Sequence, residues 1–169
     1  MIYTLGSILL ALLLADLLSG VLHFWEDRLG KESTPLIGRF IIKPNLEHHE
    51  TPLSFTRRSF LSRNLIQLAL VAPVVILLAS LGLLSVFSGT LLVALGLSNE
   101  IHYYTHVRHK APEWVKLLQD TGLIQSPAQH QKHHKAPQTT NYCVVTNLLN
   151  PALDRYGVWQ KLEVLLKRT

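Results

Sequence analysis

Two stretches of this chain carry almost nothing polar. Residues 1–25, MIYTLGSILLALLLADLLSGVLHFW, hold one acid, Asp16, and neither lysine nor arginine. Residues 64–99, NLIQLALVAPVVILLASLGLLSVFSGTLLVALGLSN, hold no charged side chain. A bilayer core of about 30 Å takes roughly 20 helical residues. The first block therefore predicts one span over about residues 3–23. The second predicts a hairpin of two spans, about 64–80 and 86–104, turning within Ser80–Gly89 where Gly and Ser cluster. Pro73 removes a backbone donor in mid-span and predicts a kink there. Block 1–25 lacks the basic start and small-residue cleavage site of a signal peptide, so it reads as a retained helix. Both runs are far longer than the ~12 residues usual for a soluble core helix.

The remaining segments, 26–63 and 105–169, predict a polar helical cap. Within PEWVKLLQDTGLI, Trp114, Val115, Leu118 and Leu123 share an apolar side, as in a short interfacial helix or a surface helix of the cap. WQKLEVLLKR is similarly amphipathic. The fold class is all-α: a small integral membrane bundle of three spans, residues 1–169 forming a single domain.

Charge fixes a direction. All 16 Lys and Arg lie in 28–63 and 108–168. By the positive-inside rule both stretches are cytoplasmic, and the N-terminus and hairpin tip face out. A bacterial inner membrane or an endoplasmic-reticulum-like membrane is expected. Topology accounts for the net charge of +5, and no nucleic-acid-binding motif accompanies it. The apolar content of 48% excludes disorder, and the single cysteine, Cys143, excludes a disulfide scaffold.

Nine histidines stand against one methionine, all on the cytoplasmic side of this topology. Asp16, Gly20, His23 and Asp27 draw one stripe up the first helix. His48 and His49 are adjacent in EHHETP. Asn99, His102 and His106 share a face in NEIHYYTH, and His130, His133 and His134 share one in HQKHH. Such spacing, repeated in four places, points to metal. Zinc favours about three or four ligands, often with Cys. Eight or nine imidazoles suit two ions with an open position, as in an oxygen-activating di-iron centre.

The order and spacing of these boxes resemble the membrane desaturase–hydroxylase superfamily, and more closely the Kua family of lipid desaturases, which includes plasmanylethanolamine desaturase. The resemblance is carried by DLLSGVLHFWEDRLG, IIKPNLEHHETPLSFTR, NEIHYYTH, PEWVKLLQDTGLIQSPAQHQKHH and APQTTNYCVVTNLLNP. It implies a di-iron site held by His23, His48, His49, His102, His106, His130, His133 and His134. His109 lies outside the boxes. It also implies O2 as co-substrate, an electron donor such as ferredoxin or cytochrome b5, and a membrane phospholipid substrate, foremost the 1-O-alkyl chain of plasmanylethanolamine. The sequence departs from the family where Arg57 is followed by Arg58 and Ser59, and at Glu100 and Tyr104.

Around such a centre, Asp16, Asp27 and Asn99 are candidates to orient ligand imidazoles from behind, with Asp27 also able to ligate weakly. Lys43, Arg57, Arg58 and Arg63 are candidates for a lipid phosphate. The alternatives are an acyl-chain desaturase or hydroxylase of the same chemistry, and a non-catalytic membrane metal carrier or sensor. A hydrolytic zinc enzyme lacks its HExxH motif here.

Overall fold

The computed structural model describes residues 1–167, and all its regular structure is helical, with no strand among the described residues. α1 runs from Ile2 to Arg28 in one piece, about 40 Å at ~1.5 Å per residue. A π-helical turn, Gly38–Ile42, leads into α2 (Lys43–Glu50), then α3 (Pro52–Thr56) and α4 (Phe60–Ser80). After a turn come α5 (Val86–Gly96) and α6 (Ser98–His106). The cap is completed by α7 (Glu113–Thr121), α8 (Pro127–His133), α9 (Asn150–Arg155) and α10 (Val158–Lys167).

α1 and α4 are each long and apolar enough to cross a membrane. Their outer faces, including Leu10, Leu17 and Leu22 on α1 and Leu65, Leu70 and Ile76 on α4, are exposed. Pro73 sits inside α4, which continues to Ser80. The chain turns at 81–85, where Gly82 takes φ +66°, and Ser85 caps α5 by accepting from the Ser88 N–H.

The expected continuous span 86–104 is instead two helices joined at Leu97. At this junction the Ser98 hydroxyl donates to the Leu95 carbonyl at 2.9 Å. α5 alone has 11 residues, about 16 Å. It packs along α1, while α6 turns away to meet α3, α4 and α8.

An extended strap, residues 141–146, crosses α1 and is buried throughout. With no helix or sheet to satisfy it, its backbone is paired mostly by side chains, the Val145 carbonyl accepting from the Gln125 N–H at 2.9 Å. Val144 N–H donates to Ser19 Oγ, and Cys143 N–H to Asn150 Oδ1. The Cys143 carbonyl accepts from Gln125 and Asn150, each at 2.8 Å. Gly20 allows the close approach: a Cβ there would sit 2.6 Å from Cys143 Sγ and 3.0 Å from the Trp159 ring. Phe24, Tyr142, Cys143 and Trp159 form the apolar core beside this crossing. Val145 joins Ala15 and Ala94 in a second cluster below it.

On α7, Val115 and Gln119 turn inward, while Trp114 and Leu117 are exposed, as is Leu123 beyond the helix. On α10 Trp159 is buried, with Val164 and Leu165 outward. The last two residues of the tail, Arg168 and Thr169, lie outside the described residues.

Candidate metal centre

The structure brings eight of the nine histidines together in two adjacent clusters. The first holds His48 from α2, His102 and His106 from α6, and His130 and His134 from the α8 segment. Their Nε2 atoms form a closed ring of contacts. His48–His102 is 2.9 Å, His102–His106 3.2 Å, His106–His130 2.8 Å, His130–His134 2.8 Å and His134–His48 3.1 Å.

Hydrogen bonds cannot satisfy this ring. Each contact needs one donor and one acceptor, and a neutral imidazole Nε2 is one or the other. Donor–acceptor alternation cannot close around five members. A central cation removes the conflict, since every Nε2 then presents a lone pair. The spacing fits as well: ligands at right angles around a metal with bonds of about 2.1 Å stand about 3.0 Å apart, against about 3.4 Å in a tetrahedron.

Burial keeps these imidazoles neutral and ready to ligate. It lowers His106 to about 4, with help from the charge of His49. It lowers His134 to about 3, with His106 adding to the effect. His48 is held at about 2 by burial and by His106 and His134. His130 is pushed well down for the same reasons.

The second cluster is His23 and Asp27 from α1, His49 from α2 and His133 from α8. Two carbonyls aim its rings. His23 Nδ1 donates to the Tyr142 carbonyl at 3.2 Å, and His133 Nδ1 to that of Thr140 at 2.8 Å. Each therefore presents a bare Nε2 inward. Asp27 faces them, with one oxygen 3.0 Å from His49 Nε2 and 3.9 Å from His23 Nε2, and the other 3.3 Å from His133 Nε2. His23 Nε2, His133 Nε2 and Asp27 Oδ2 are buried without a hydrogen-bond partner. Orphaned acceptors around one point are what a cation would satisfy. The two clusters touch, with His48 and His49 ring centroids 5.9 Å apart. The donor set therefore fits two metal ions side by side, one among imidazoles alone and one with a carboxylate.

The other candidates lie elsewhere. His109 is exposed, outside both clusters. Asp16 reaches no imidazole; its carboxylate accepts from Val145 N–H, Thr146 N–H and Thr146 Oγ1 at 2.6–2.9 Å. The reason is distance along α1: the strap crosses at its level, and the rings stand further up. Asn99 also misses the histidines and donates to the Arg63 carbonyl at 2.7 Å. Arg63 is taken up internally, paired to Glu100 at 2.9 Å and stacked 3.7 Å over the Tyr103 ring. Lys43 faces Glu47 at 3.8 Å, and Arg57 is exposed. Arg58 lines the cleft described next. The sequence pattern gives no role to the carbonyls of Tyr142 in the strap and of Thr140 just before it, although TTNYCVVTN stands in the stretch APQTTNYCVVTNLLNP.

A cleft of about 350 Å³ opens between α1 and α4 and reaches His23, His48 and His102. Leu22 on α1 and Ile66, Leu70 and Val71 on α4 line its apolar side. Trp25, Glu26, Phe40 and Arg58 line it towards the cap. A separate apolar groove of about 560 Å³, beside α5 and α7, touches no histidine.

A lipid desaturase domain model matches residues 12–169. The chain belongs to this lipid desaturase family. It is 39% identical over 158 residues to fatty acid desaturase 4, chloroplastic, of Arabidopsis thaliana, covering 90% of this chain and 48% of that one. It is 32% identical over 167 residues to plasmanylethanolamine desaturase 1 of Mus musculus, covering 92% and 62%. With the plasmanylethanolamine desaturase of Myxococcus xanthus it shares 30% over 169 residues, covering 96% and 60%. The chain thus spans about half the length of the first of these lipid desaturase relatives. No solved structure matches it.

Proposed function

We propose that this chain is a membrane lipid desaturase with two iron ions in the paired clusters. It inserts a double bond into a phospholipid chain, foremost the 1-O-alkyl chain of plasmanylethanolamine, giving a vinyl ether. The observation that carries this reading is the meeting of both donor clusters with a largely apolar cleft between two membrane-length helices. Iron, when bound, supplies O2 activation: with two external electrons and two protons, O2 is reduced to two waters as two hydrogens leave adjacent carbons.

The chain's own residues do the rest. The eight histidines and Asp27 hold the ions. Thr140 and Tyr142 fix the tautomers of His133 and His23. Leu22, Ile66 and Leu70 orient the alkyl chain against the rings and keep water out. α1, α4 and a third span over about residues 86–104, from α5 into α6, are the three spans of this reading, with the N-terminus outside and the cap, from residue 105 on, in the cytoplasm. There an electron carrier such as ferredoxin or cytochrome b5 docks.

The greater identity to a protein named as a fatty acid desaturase favours a second reading, in which an ester-linked acyl chain is the substrate. One experiment separates them. The iron-loaded protein is expressed in a host supplying both alkyl-ether and diacyl phospholipids, and the lipids are extracted. Acid-released aldehyde supports the vinyl ether, and a new olefin in the ester-linked chains supports the acyl reading. Exchangeable zinc or copper, with no O2 uptake, overturns both in favour of a metal carrier or sensor.

A further inference from the structure

The break at Leu97 leaves α6 to be oriented by its neighbours. The helix has nine residues, too few to hold a direction alone. It carries His102 and His106, two members of the ring of Nε2 contacts. Four hydrogen bonds tie its first turn to α4. Arg63 Nη2 donates to Glu100 Oε1 at 3.0 Å and to Oε2 at 2.9 Å, and Asn64 Nδ2 donates to Glu100 Oε2 at 3.2 Å. In the other direction, Asn99 Nδ2 donates to the Arg63 carbonyl at 2.7 Å. Arg63 is itself held in place, by its bond to the Arg58 carbonyl and by the Tyr103 ring, 3.7 Å from its guanidinium carbon. The pair is shielded from solvent, with Arg63 7% and Glu100 16% exposed, and Asn64 is fully buried beside it.

Helix geometry decides what this tie controls. Successive residues point about 100° apart around the axis. Measured from Asn99, Tyr103 then lies about 40° and Glu100 about 100° to one side, while His106 lies about 20° and His102 about 60° to the other. The face that is anchored to α4 adjoins the face that ligates, so holding one fixes the rotation of the other. With side chains reaching about 5–6 Å from the axis, a turn of about 10° displaces a ring nitrogen by about 1 Å. Metal–ligand distances tolerate only about 0.2 Å. We propose that Arg63 and Glu100 are a positioning pair: they set the rotation of α6 so that His102 and His106 converge on the ion of the all-imidazole cluster. The assignment rests on the reading of that cluster as a metal site. Apolar side chains of similar bulk could replace a buried ion pair with little loss of stability, but they would let the helix roll. Charge and hydrogen bonding here supply a fixed angle.

The test reads metal affinity in each cluster separately. Full-length protein in detergent is loaded anaerobically with ferrous iron, which is then withdrawn by a competing chelator. Asp27→Ala leaves the imidazole ring as the remaining site, and His130→Ala leaves the carboxylate cluster. In the Asp27→Ala background, adding Arg63→Met together with Glu100→Leu should weaken iron binding about tenfold. In the His130→Ala background the same pair of changes should leave affinity unchanged, because neither His102 nor His106 belongs to that cluster. Equal losses in both backgrounds would mean general loosening and overturn the positioning role, as would no loss in either or a loss confined to the carboxylate cluster. If the double replacement fails to fold, Glu100→Gln decides. It keeps one acceptor for Arg63 and should give a smaller loss confined to the ring; a loss in the other cluster, or none, overturns the proposal. A wild type that binds no iron overturns the metal-centre reading and the positioning pair together. A wild type that binds two ions but fails the comparison of backgrounds overturns the positioning pair alone.

Discussion

Thr146 gives both its N–H and its hydroxyl to the carboxylate of Asp16, at 2.8 and 2.6 Å. The contact joins an apolar helix to the strap whose Tyr142 carbonyl aims the His23 ring. The acid that looks out of place in α1 therefore acts on the centre at a remove, through residues 141–146 and the Tyr142 carbonyl on His23. Removing it leaves two buried N–H groups, those of Val145 and Thr146, without their acceptor. Each such loss costs about 1–3 kcal/mol. Asp16→Ala should lower the melting temperature in detergent and reduce metal content together. Asp16→Asn, whose Oδ1 still accepts and whose Nδ2 can donate to the Thr146 hydroxyl, should be milder on both. Equal thermal stability of wild type and Asp16→Ala would refute the clamp.

The same crossing depends on Gly20. A Cβ at 2.6 Å from Cys143 Sγ and 3.2 Å from the Cys143 nitrogen meets backbone that three side chains, Ser19, Gln125 and Asn150, hold in place. Overpacking of this kind costs about 1–3 kcal/mol. Gly20→Val should destabilise the protein, and the loss should not be repaired by Cys143→Ala alone, because the strap nitrogen still obstructs. Full rescue by Cys143→Ala, measured by thermal unfolding, would place the conflict in the thiol only.

How the boxes divide between two clusters follows from helix geometry. Neighbouring residues on an α-helix point about 100° apart. His48 and His49 therefore cannot serve one ion, and α2 sends each to a different cluster. His130 and His134, four apart, point together, while His133 goes to the other side. The histidine pairs were legible in HH and HxxHH, as were the long apolar helices in the charge-free blocks, but the departure of His133 from the face that HQKHH predicts it shares with His130 and His134 was not. The strap was not. It has no helical period, and its contacts reach across more than a hundred residues to Asp16, Ser19 and His23. Nor was the break at Leu97, which falls inside the charge-free block 64–99. Arg63 reads as a headgroup ligand from charge alone, and only folding brings Glu100 to it.

This division makes metal counting diagnostic. His130→Ala removes a member of the five-nitrogen ring, and Asp27→Ala removes the carboxylate of the other cluster. Each should lower bound metal by about half and abolish turnover, with different spectroscopic remnants: an imidazole-poor residue of signal in one, an all-imidazole site in the other. His109→Ala, on an exposed ring outside both clusters, should leave metal and activity unchanged. Identical residual spectra from His130→Ala and Asp27→Ala would mean that the clusters do not hold separate ions.

Acid should empty and loosen this centre. In the unfolded chain these imidazoles titrate near 6.5, whereas burial holds His106 at about 4 and His134 at about 3 in the fold. Between those values the unfolded chain binds protons that the folded chain refuses. Stability is therefore complete above about pH 6.5 and falls as the pH drops towards 4. Protons also compete with metal for the same nitrogens, so bound metal should be released over that range. The metal-free protein should melt lower at pH 5 than at pH 7.5, and His106→Gln should flatten the difference by removing one of the titrating groups. A melting temperature that rises on acidification from pH 7.5 to 5 would show that the imidazoles gain protons in the fold, and a ring of neutral ligands would then be the wrong description.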